Sequence, residues 1–135
     1  MSHNGMSGSE EDGAGAALRI LPILRDVLII FGLTFLSGFV VGFLFAFRGA
    51  SGTPAYAVAL GLSNLVFGTV GFVISGCLAP PGRWRHLLLV AVGVWLLSLA
   101  NVAFMGVPFL QWAFLVIPIA IIMGVGGGLS YLFRR

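Results

Sequence analysis

The chain has 135 residues, of which 59% are hydrophobic and 8% are charged, with a formal net charge of +3 and a mean hydropathy of +1.11. A water-soluble domain of this size cannot bury so much apolar surface in one core, so the composition excludes a soluble globular protein and predicts a protein whose solvent is lipid. The single cysteine, Cys77, excludes an intrachain disulfide and a cysteine metal cluster.

The N-terminal region differs from the rest of the chain. Residues 1–17 are small, polar and acidic, and they have too little apolar content to fold, so we expect a disordered cytoplasmic tail. In residues 18–25, leucines are interspersed with Arg19 and Arg25, a pattern that predicts a short amphipathic segment along the membrane surface. The membrane domain is expected to occupy residues 26–135.

Charges and Pro/Gly breaks divide the remaining chain into apolar runs, each about 30 to 37 Å long as a helix and therefore long enough to cross a bilayer. The predicted spans cover about residues 26–47, 55–79, 87–106 and 109–133. Gly106 and Pro108 separate the last two spans, because proline cannot continue a helix. Runs such as LLLVAVGVWLL do not alternate in polarity, which argues against a β-barrel. The predicted fold is all-α, an integral membrane bundle of four transmembrane helices.

The positions of the arginines predict the orientation of the bundle. Only Arg48 follows the first span, whereas the other arginines precede the first span, separate the second from the third, or follow the fourth. Short arginine-rich segments stay in the cytoplasm, so both termini are predicted to be cytoplasmic. Tyr56 and Trp112 fall at the predicted outer boundary, and Trp84 and Tyr131 at the inner one, as interfacial aromatic residues do. We expect a multi-pass protein of a bacterial cytoplasmic membrane.

Small residues form stripes on three of the predicted helices. Spanning helices gain little from hydrophobic burial against one another, so close backbone contact and interhelical hydrogen bonds hold them together. Small residues in the second span recur at alternating intervals of four and three, which predicts a packing seam on one face, and the first and fourth spans each carry a GxxxG motif. The predicted seam residues are Ala57, Gly61, Asn64, Gly68, Gly71 and Ser75 in the second span, Gly38 and Gly42 in the first, and Gly124 and Gly128 in the fourth.

Polar residues and one proline share a layer about 8 to 14 Å below the predicted outer ends. These candidate site residues are Ser37, Asn64, Ser98, Asn101 and Pro118. In one interpretation the two amides hydrogen-bond to neighbouring helices, because an unpaired amide in hydrocarbon costs several kcal/mol. In the other, the layer lines a site for a small solute beside the helix that Pro118 interrupts. The sequence leaves both interpretations open.

The predicted spans contain almost no ionisable side chains. No Asp, Glu, Lys, Arg or His occurs in residues 27–47, 55–79 or 87–133. Proton-coupled transport needs a titratable group within the membrane, and Asp26 is expected only at the mouth of the first span, beside Arg25. The sequence therefore predicts a membrane interior without titratable groups and no proton coupling by this chain alone.

The PPGRWRH segment between the second and third spans is the most basic loop of the chain. It predicts contact with anionic lipid headgroups through Arg83, Arg85 and His86. His86 is a conceivable base for a lipid-modifying enzyme, but the sequence offers no nucleophile, paired carboxylates or metal constellation beside it. We therefore expect no catalytic activity, no metal and no cofactor. Arginines divided among separate segments form no nucleic-acid-binding pattern.

The resulting hypothesis is a small integral membrane protein that acts through helix–helix contacts, as a homo-oligomer or as an accessory or assembly subunit of a membrane complex. Its partners would be membrane lipids and further transmembrane helices, from copies of this chain or from other proteins. The alternative is an uncoupled transporter or channel for a neutral or hydrophobic solute, built as an oligomer. No motif identifies the solute, the partner or the number of subunits.

Overall fold

The computed structural model describes the backbone of residues 8–133 and the side chains of residues 20–104 and 106–133. Every regular element of this part of the chain is a helix, which confirms the all-α prediction for the described residues. The helices are α1 (Gly8–Phe47), α2 (Pro54–Leu78), α3 (Arg83–Leu97), α4 (Leu99–Met105), α5 (Phe109–Phe114) and α6 (Val116–Phe133).

Four helical stretches are long and apolar enough to cross a membrane, as expected of a multi-pass membrane protein. They are Ile20–Phe47, Pro54–Leu78, Arg83–Phe104 and Phe109–Phe133. The third stretch combines α3 with α4, and the fourth combines α5 with α6. The first and third stretches begin earlier than predicted, because hydropathy marks the end of an apolar run whereas these helices continue through charged residues that find partners inside the bundle.

The N-terminal segments that the sequence distinguishes are not separate elements. Residues 8–17 of the predicted tail and all of the predicted surface segment, residues 18–25, belong to α1, while residues 1–7 lie outside the described part of the chain. Pro22 lies inside this helix. A proline removes one backbone donor, and the helix continues on both sides of it.

The connections between spans are short and use the residues that turns and caps require. Thr53 caps α2 by accepting a hydrogen bond from the Tyr56 amide at 3.2 Å, and Pro54 takes the first helical position. Gly106 ends α4 with a φ of 67°, a backbone conformation that favours glycine, and α5 begins after Pro108. The predicted break between the third and fourth spans is therefore present.

The spans form a ring in which α1 and α6 each contact both α2 and α3. Because successive spans run in opposite directions, α2 and α6 lie parallel to each other, and so do α1 and α3. One end of the ring carries the turn at residues 79–82 and the end of α6, and is termed the basic end because Arg25, Arg83 and Arg85 lie there. The other end, with the turns at residues 48–53 and 106–108, is termed the opposite end. The buried apolar core consists of Val27, Ile30, Phe72, Leu87, Val90, Ala91 and Val94.

Glycines bring the backbones of this core into close contact. A Cβ atom on Gly71 of α2 would lie 2.8 Å from Cγ1 of Ile30, and one on Gly93 of α3 would lie 2.6 Å from Cγ2 of Val27. These distances are shorter than carbon atoms tolerate, so a larger residue would push the helices apart. The contacts between α1 and its two neighbours thus depend on glycine at these positions.

Candidate functional site

Asp26 is the centre of a buried polar cluster where α1 meets α2 and α3. Its side chain is 0% exposed. Oδ2 accepts a hydrogen bond from Oγ of Ser75 at 2.7 Å and lies 2.8 Å from Nε2 of His86, while Oδ1 accepts from Nε of Arg25 at 2.8 Å. These four residues are termed the carboxylate cluster. Both oxygens of Asp26 have donors, and the charge of Arg25 offsets that of the carboxylate, which makes the burial of Asp26 tolerable.

Two titratable side chains that the sequence places at the ends of the spans are buried in the bundle. Asp26 is 0% exposed, and His86, expected at the headgroup surface, is only 6% exposed and points at Asp26. The physical reason is that hydropathy counts a charged side chain as polar whether or not it has a partner. Here three helices supply the partners, so the charged residues turn inward.

The carboxylate cluster does not have the geometry of a hydrolase triad. In such a triad the imidazole lies between the carboxylate and the hydroxyl and takes the proton of the hydroxyl. In this cluster Ser75 and His86 contact the same oxygen of Asp26, so the hydroxyl donates to the carboxylate directly. Among the described residues, no three side chains of His, Cys, Asp or Glu are grouped to hold a metal ion. The arrangement serves to join three helices.

A cavity of about 410 Å³ lies between the four spans, further towards the opposite end. Asn64, Ser98 and Pro118 of the predicted polar layer line it, together with apolar side chains. The remaining lining residues are Ile30, Thr34, Gly61, Leu65, Val94, Leu115, Ile119 and Ile122. Three members of the predicted layer are thus brought to one space, in a largely apolar setting.

The remaining two members of the layer do not line this cavity. Ser37 is buried and donates to the carbonyl of Thr34 at 3.0 Å, one turn back in the same helix. Asn101 is half-buried in α4. The structure therefore divides the predicted layer into three residues that line the cavity and two that do not.

Asn64 differs from the other polar residues of the cavity, because its side chain makes no hydrogen bond within its own helix. The hydroxyl of Ser98 donates to the carbonyl of Trp95 at 2.6 Å, and the hydroxyl of Thr34 donates to the carbonyls of Ile30 and Phe31, both at 3.0 Å. No hydrogen bond joins the Asn64 carboxamide to any described residue. Its donors and acceptor remain available.

The cavity opens along α2. Its exposed lining residues are Gly61, Asn64 and Leu65, and all three belong to α2. The lining residues of the other helices are buried or half-buried. The cavity is therefore reached sideways, past α2.

Two tryptophans tie the third span to the fourth. The indole rings of Trp95 and Trp112 stack with centroids 4.2 Å apart. Nε1 of Trp95 donates to the carbonyl of Trp112 at 3.3 Å, and Nε1 of Trp112 donates to the carbonyl of Trp95 at 3.1 Å. This reciprocal pair ties α3 to α5 and satisfies both indole donors away from water.

The predicted seam of α2 is packed in only one half. Gly68 and Gly71 are buried, and a Cβ atom on Gly68 would lie 2.8 Å from Cδ1 of Ile122 in α6. Ser75 is also buried, in the carboxylate cluster. Ala57, Gly61 and Asn64, which continue the stripe towards the opposite end, are exposed. The seam is thus closed near the basic end and open beside the cavity.

The two GxxxG motifs differ in their surroundings. In α1, a Cβ atom on Gly38 would lie 3.5 Å from Leu60, and one on Gly42 would lie 3.8 Å from Tyr56, both ordinary contacts. In α6, Gly124 and Gly128 are exposed, and a Cβ atom on either would meet nothing within 4 Å. The motif of α6 faces away from the bundle.

Other glycines make the contacts of α6. A Cβ atom on Gly126 would lie 2.6 Å from Cβ of Phe72, and one on Gly127 would lie 2.8 Å from Cδ1 of Leu87. Neither residue belongs to the GxxxG motif of this span. The spacing of Gly126 and Gly127 from the buried Ser130 is the signal that could have identified this face, because residues three and four apart share one side of a helix.

No protein-family model, curated protein or solved structure matches this chain.

Replacement of Asp26 by leucine tests the carboxylate cluster. We expect the variant to lose about 3 to 5 kcal/mol of unfolding free energy, because the donors of Ser75 and His86 are left buried without their acceptor. Arg48→Gln is the control: Arg48 is exposed at the opposite end, away from the carboxylate cluster, so its removal should cost at most about 0.5 kcal/mol. Unfolding in mild detergent, followed by circular dichroism, measures both. Equal losses for the two variants would contradict the assignment of Asp26 as the junction.

Proposed function

We propose that the chain is a multi-pass membrane protein that binds a small, neutral, largely apolar molecule between its spans and carries it without coupling to ions. The observation that supports this most directly is the free carboxamide of Asn64 in an otherwise apolar cavity. An amide without a partner in hydrocarbon is costly, and a bound molecule with a hydroxyl, carbonyl or amide group would satisfy it.

The lining of the cavity defines the chemistry of this molecule. No charged side chain lines it, so an ion would lose its hydration without gaining a counter-charge. The volume of about 410 Å³ falls in the range of small-molecule sites, about 300 to 1,000 Å³. The opening along α2 suits a solute that partitions into lipid first. A neutral molecule with one polar group and an apolar body meets all three conditions.

The orientation is part of the same proposal. The arginines of the basic end favour the cytoplasmic side, with both termini there, because short arginine-rich segments are retained in the cytoplasm. In that orientation the carboxylate cluster lies in the inner half of the membrane and the cavity opens towards its outer half. We assign the protein to a bacterial cytoplasmic membrane on this basis.

A second candidate function is helix–helix contact with another protein or with a further copy of this chain, as an accessory or assembly subunit. The observation that favours it is the outward face of α6, where Gly124 and Gly128 meet no other residue of the bundle. A GxxxG motif lets a second helix approach closely in lipid. The two functions are compatible, because the cavity opens along α2 and not along this face.

Replacement of Asn64 by leucine tests the binding function. The probe is 4-fluorobenzyl alcohol, a neutral molecule with one hydroxyl, and its saturable binding to the protein in nanodiscs is followed by fluorine NMR. We expect the variant to bind about three- to tenfold more weakly, the loss of one hydrogen bond. Asn101→Leu is the matched control, because Asn101 lies outside the cavity lining, and its affinity should be unchanged. Equal affinity for the wild type and Asn64→Leu, or no saturable binding by the wild type, would refute the proposal.

Replacement of both Gly124 and Gly128 by leucine tests the contact function. The monomer should fold normally, since added side chains at these positions meet open space, whereas a close helix pair formed through this face should be lost. Native mass spectrometry in mild detergent measures the oligomer. Gly32→Leu is the control, because Gly32 is exposed on α1 with open space around it. A monomeric wild type and an unchanged set of co-purifying proteins would count against this function.

A further inference from the structure

Arg83 is a buried cation that has no acidic partner among the described residues. Its side chain is 9% exposed, and the ion pairs of the described residues are those of Asp26 with Arg25 and with His86. Nη1 of Arg83 donates to Oγ of Ser130 at 3.0 Å. These contacts leave the positive charge of the guanidinium without the negative group that usually offsets its burial.

Most of the donors of this guanidinium are unused. An arginine side chain has five N–H donors, and within the described part of the chain Arg83 donates one hydrogen bond, to Ser130. Within the described chain no fully buried side-chain nitrogen lacks a hydrogen-bond partner, so the unused donors of Arg83 reach open space. Arg83 lines a surface cavity of about 370 Å³ at the basic end. The cavity is formed by Pro80, Pro81, Gly82, Arg83, Trp84, Arg85 and Tyr131.

The start of α3 adds further positive charge to the same cavity. Gly82 precedes the helix, and no side chain caps it. The amides of Arg83 and Trp84 therefore have no acceptor within the helix. Acidic residues are favoured in a first helical turn, but this turn has none and instead contains Arg83 and Arg85. Two cations at the positive end of a helix dipole repel each other unless an anion lies between them.

Contacts with the end of α6 explain only part of the positive charge and free donors around this cavity. Cζ of Arg83 lies 4.1 Å from the centroid of the Tyr131 ring, and Ser130 is in the last turn of α6, where the helix dipole is negative. These contacts explain the one hydrogen bond and the position of the side chain. They do not provide an acceptor for the free amides of α3 or for Arg85, which is exposed.

We propose that this cavity binds a phosphate group, either the phosphodiester of an anionic lipid or free inorganic phosphate. The fork of Arg83 and the first amides of α3 bind the oxygens, and Arg85 adds charge. Trp84 and Tyr131 supply apolar walls. His86, which the sequence groups with these arginines, belongs to the carboxylate cluster and takes no part. This site is separate from the cavity beside Asn64 and independent of the function proposed for it.

The test compares lipid binding by the full-length protein in nanodiscs of phosphatidylcholine with increasing phosphatidylglycerol. Native mass spectrometry measures how much phosphatidylglycerol stays bound. Arg83→Gln keeps a donor for Ser130 and removes the charge, and we expect affinity to fall about tenfold, equivalent to about 1.4 kcal/mol. Arg48→Gln is the matched control, because Arg48 is an exposed arginine at the opposite end, and its affinity should be unchanged.

A second arm distinguishes the two sources of phosphate. Inorganic phosphate is added to the protein in nanodiscs of pure phosphatidylcholine, and the melting temperature is recorded. A rise for the wild type but not for Arg83→Gln identifies free phosphate as a ligand, and selective retention of phosphatidylglycerol identifies the lipid. If Arg83→Gln does not fold, Arg83→Lys replaces it, since this variant keeps the charge but loses the fork, and weaker binding is expected. If neither ligand binds the wild type, or if the variants bind both as the wild type does, Arg83 only caps α6 and the proposal is overturned.

Discussion

The structure depends on one requirement. A carboxylate buried among apolar helices needs hydrogen-bond donors from other helices. Asp26 meets this requirement with Ser75 of α2 and His86 of α3, and so joins three spans at one level. Close glycine contacts surround the same junction: Gly71 lies against Ile30, and Gly93 lies against Val27. Lipid does not drive helices together as water does, so such contacts decide where the bundle is closed. They are concentrated towards the basic end.

The cavity lies next to this closely packed junction, further towards the opposite end. Ile30 lies one helical turn beyond Asp26, packs against Gly71 on one side and lines the cavity on the other. Trp95 and Trp112, which do not line the cavity, tie the third span to the fourth. The half of α2 near the opposite end contacts α1 through Tyr56 and Phe45, but Gly61 and Asn64 are exposed and leave room beside it. A bundle fastened at these points keeps an apolar space in its middle and an entrance along α2, which are the properties of a site for a lipid-soluble molecule.

Much of the fold could be predicted from the sequence, because apolar run length and the Gly106–Pro108 break are local properties. The pairing of Asp26 with His86 could not, since the two residues are 60 positions apart and a hydropathy pattern assigns both to helix ends. The cavity could be predicted only in part. The depths of Asn64 and Ser98 in their spans place both residues in one layer, but which helices face each other there depends on packing. Which glycines of α6 are buried also depends on packing and could not be predicted. Several faces of that helix carry glycine, and only its neighbours decide which face is buried.

The most direct test of an open cavity above a closed junction uses Val90 and Val94, one turn apart in α3. Both are buried, but only Val94 lines the cavity. The protein in nanodiscs is irradiated with a small neutral aryl diazirine, and the labelled residues are identified by mass spectrometry. The account predicts labelling at Val94 that an excess of 4-fluorobenzyl alcohol suppresses, and no labelling at Val90. Equal labelling of the two valines, or none at Val94, would contradict it.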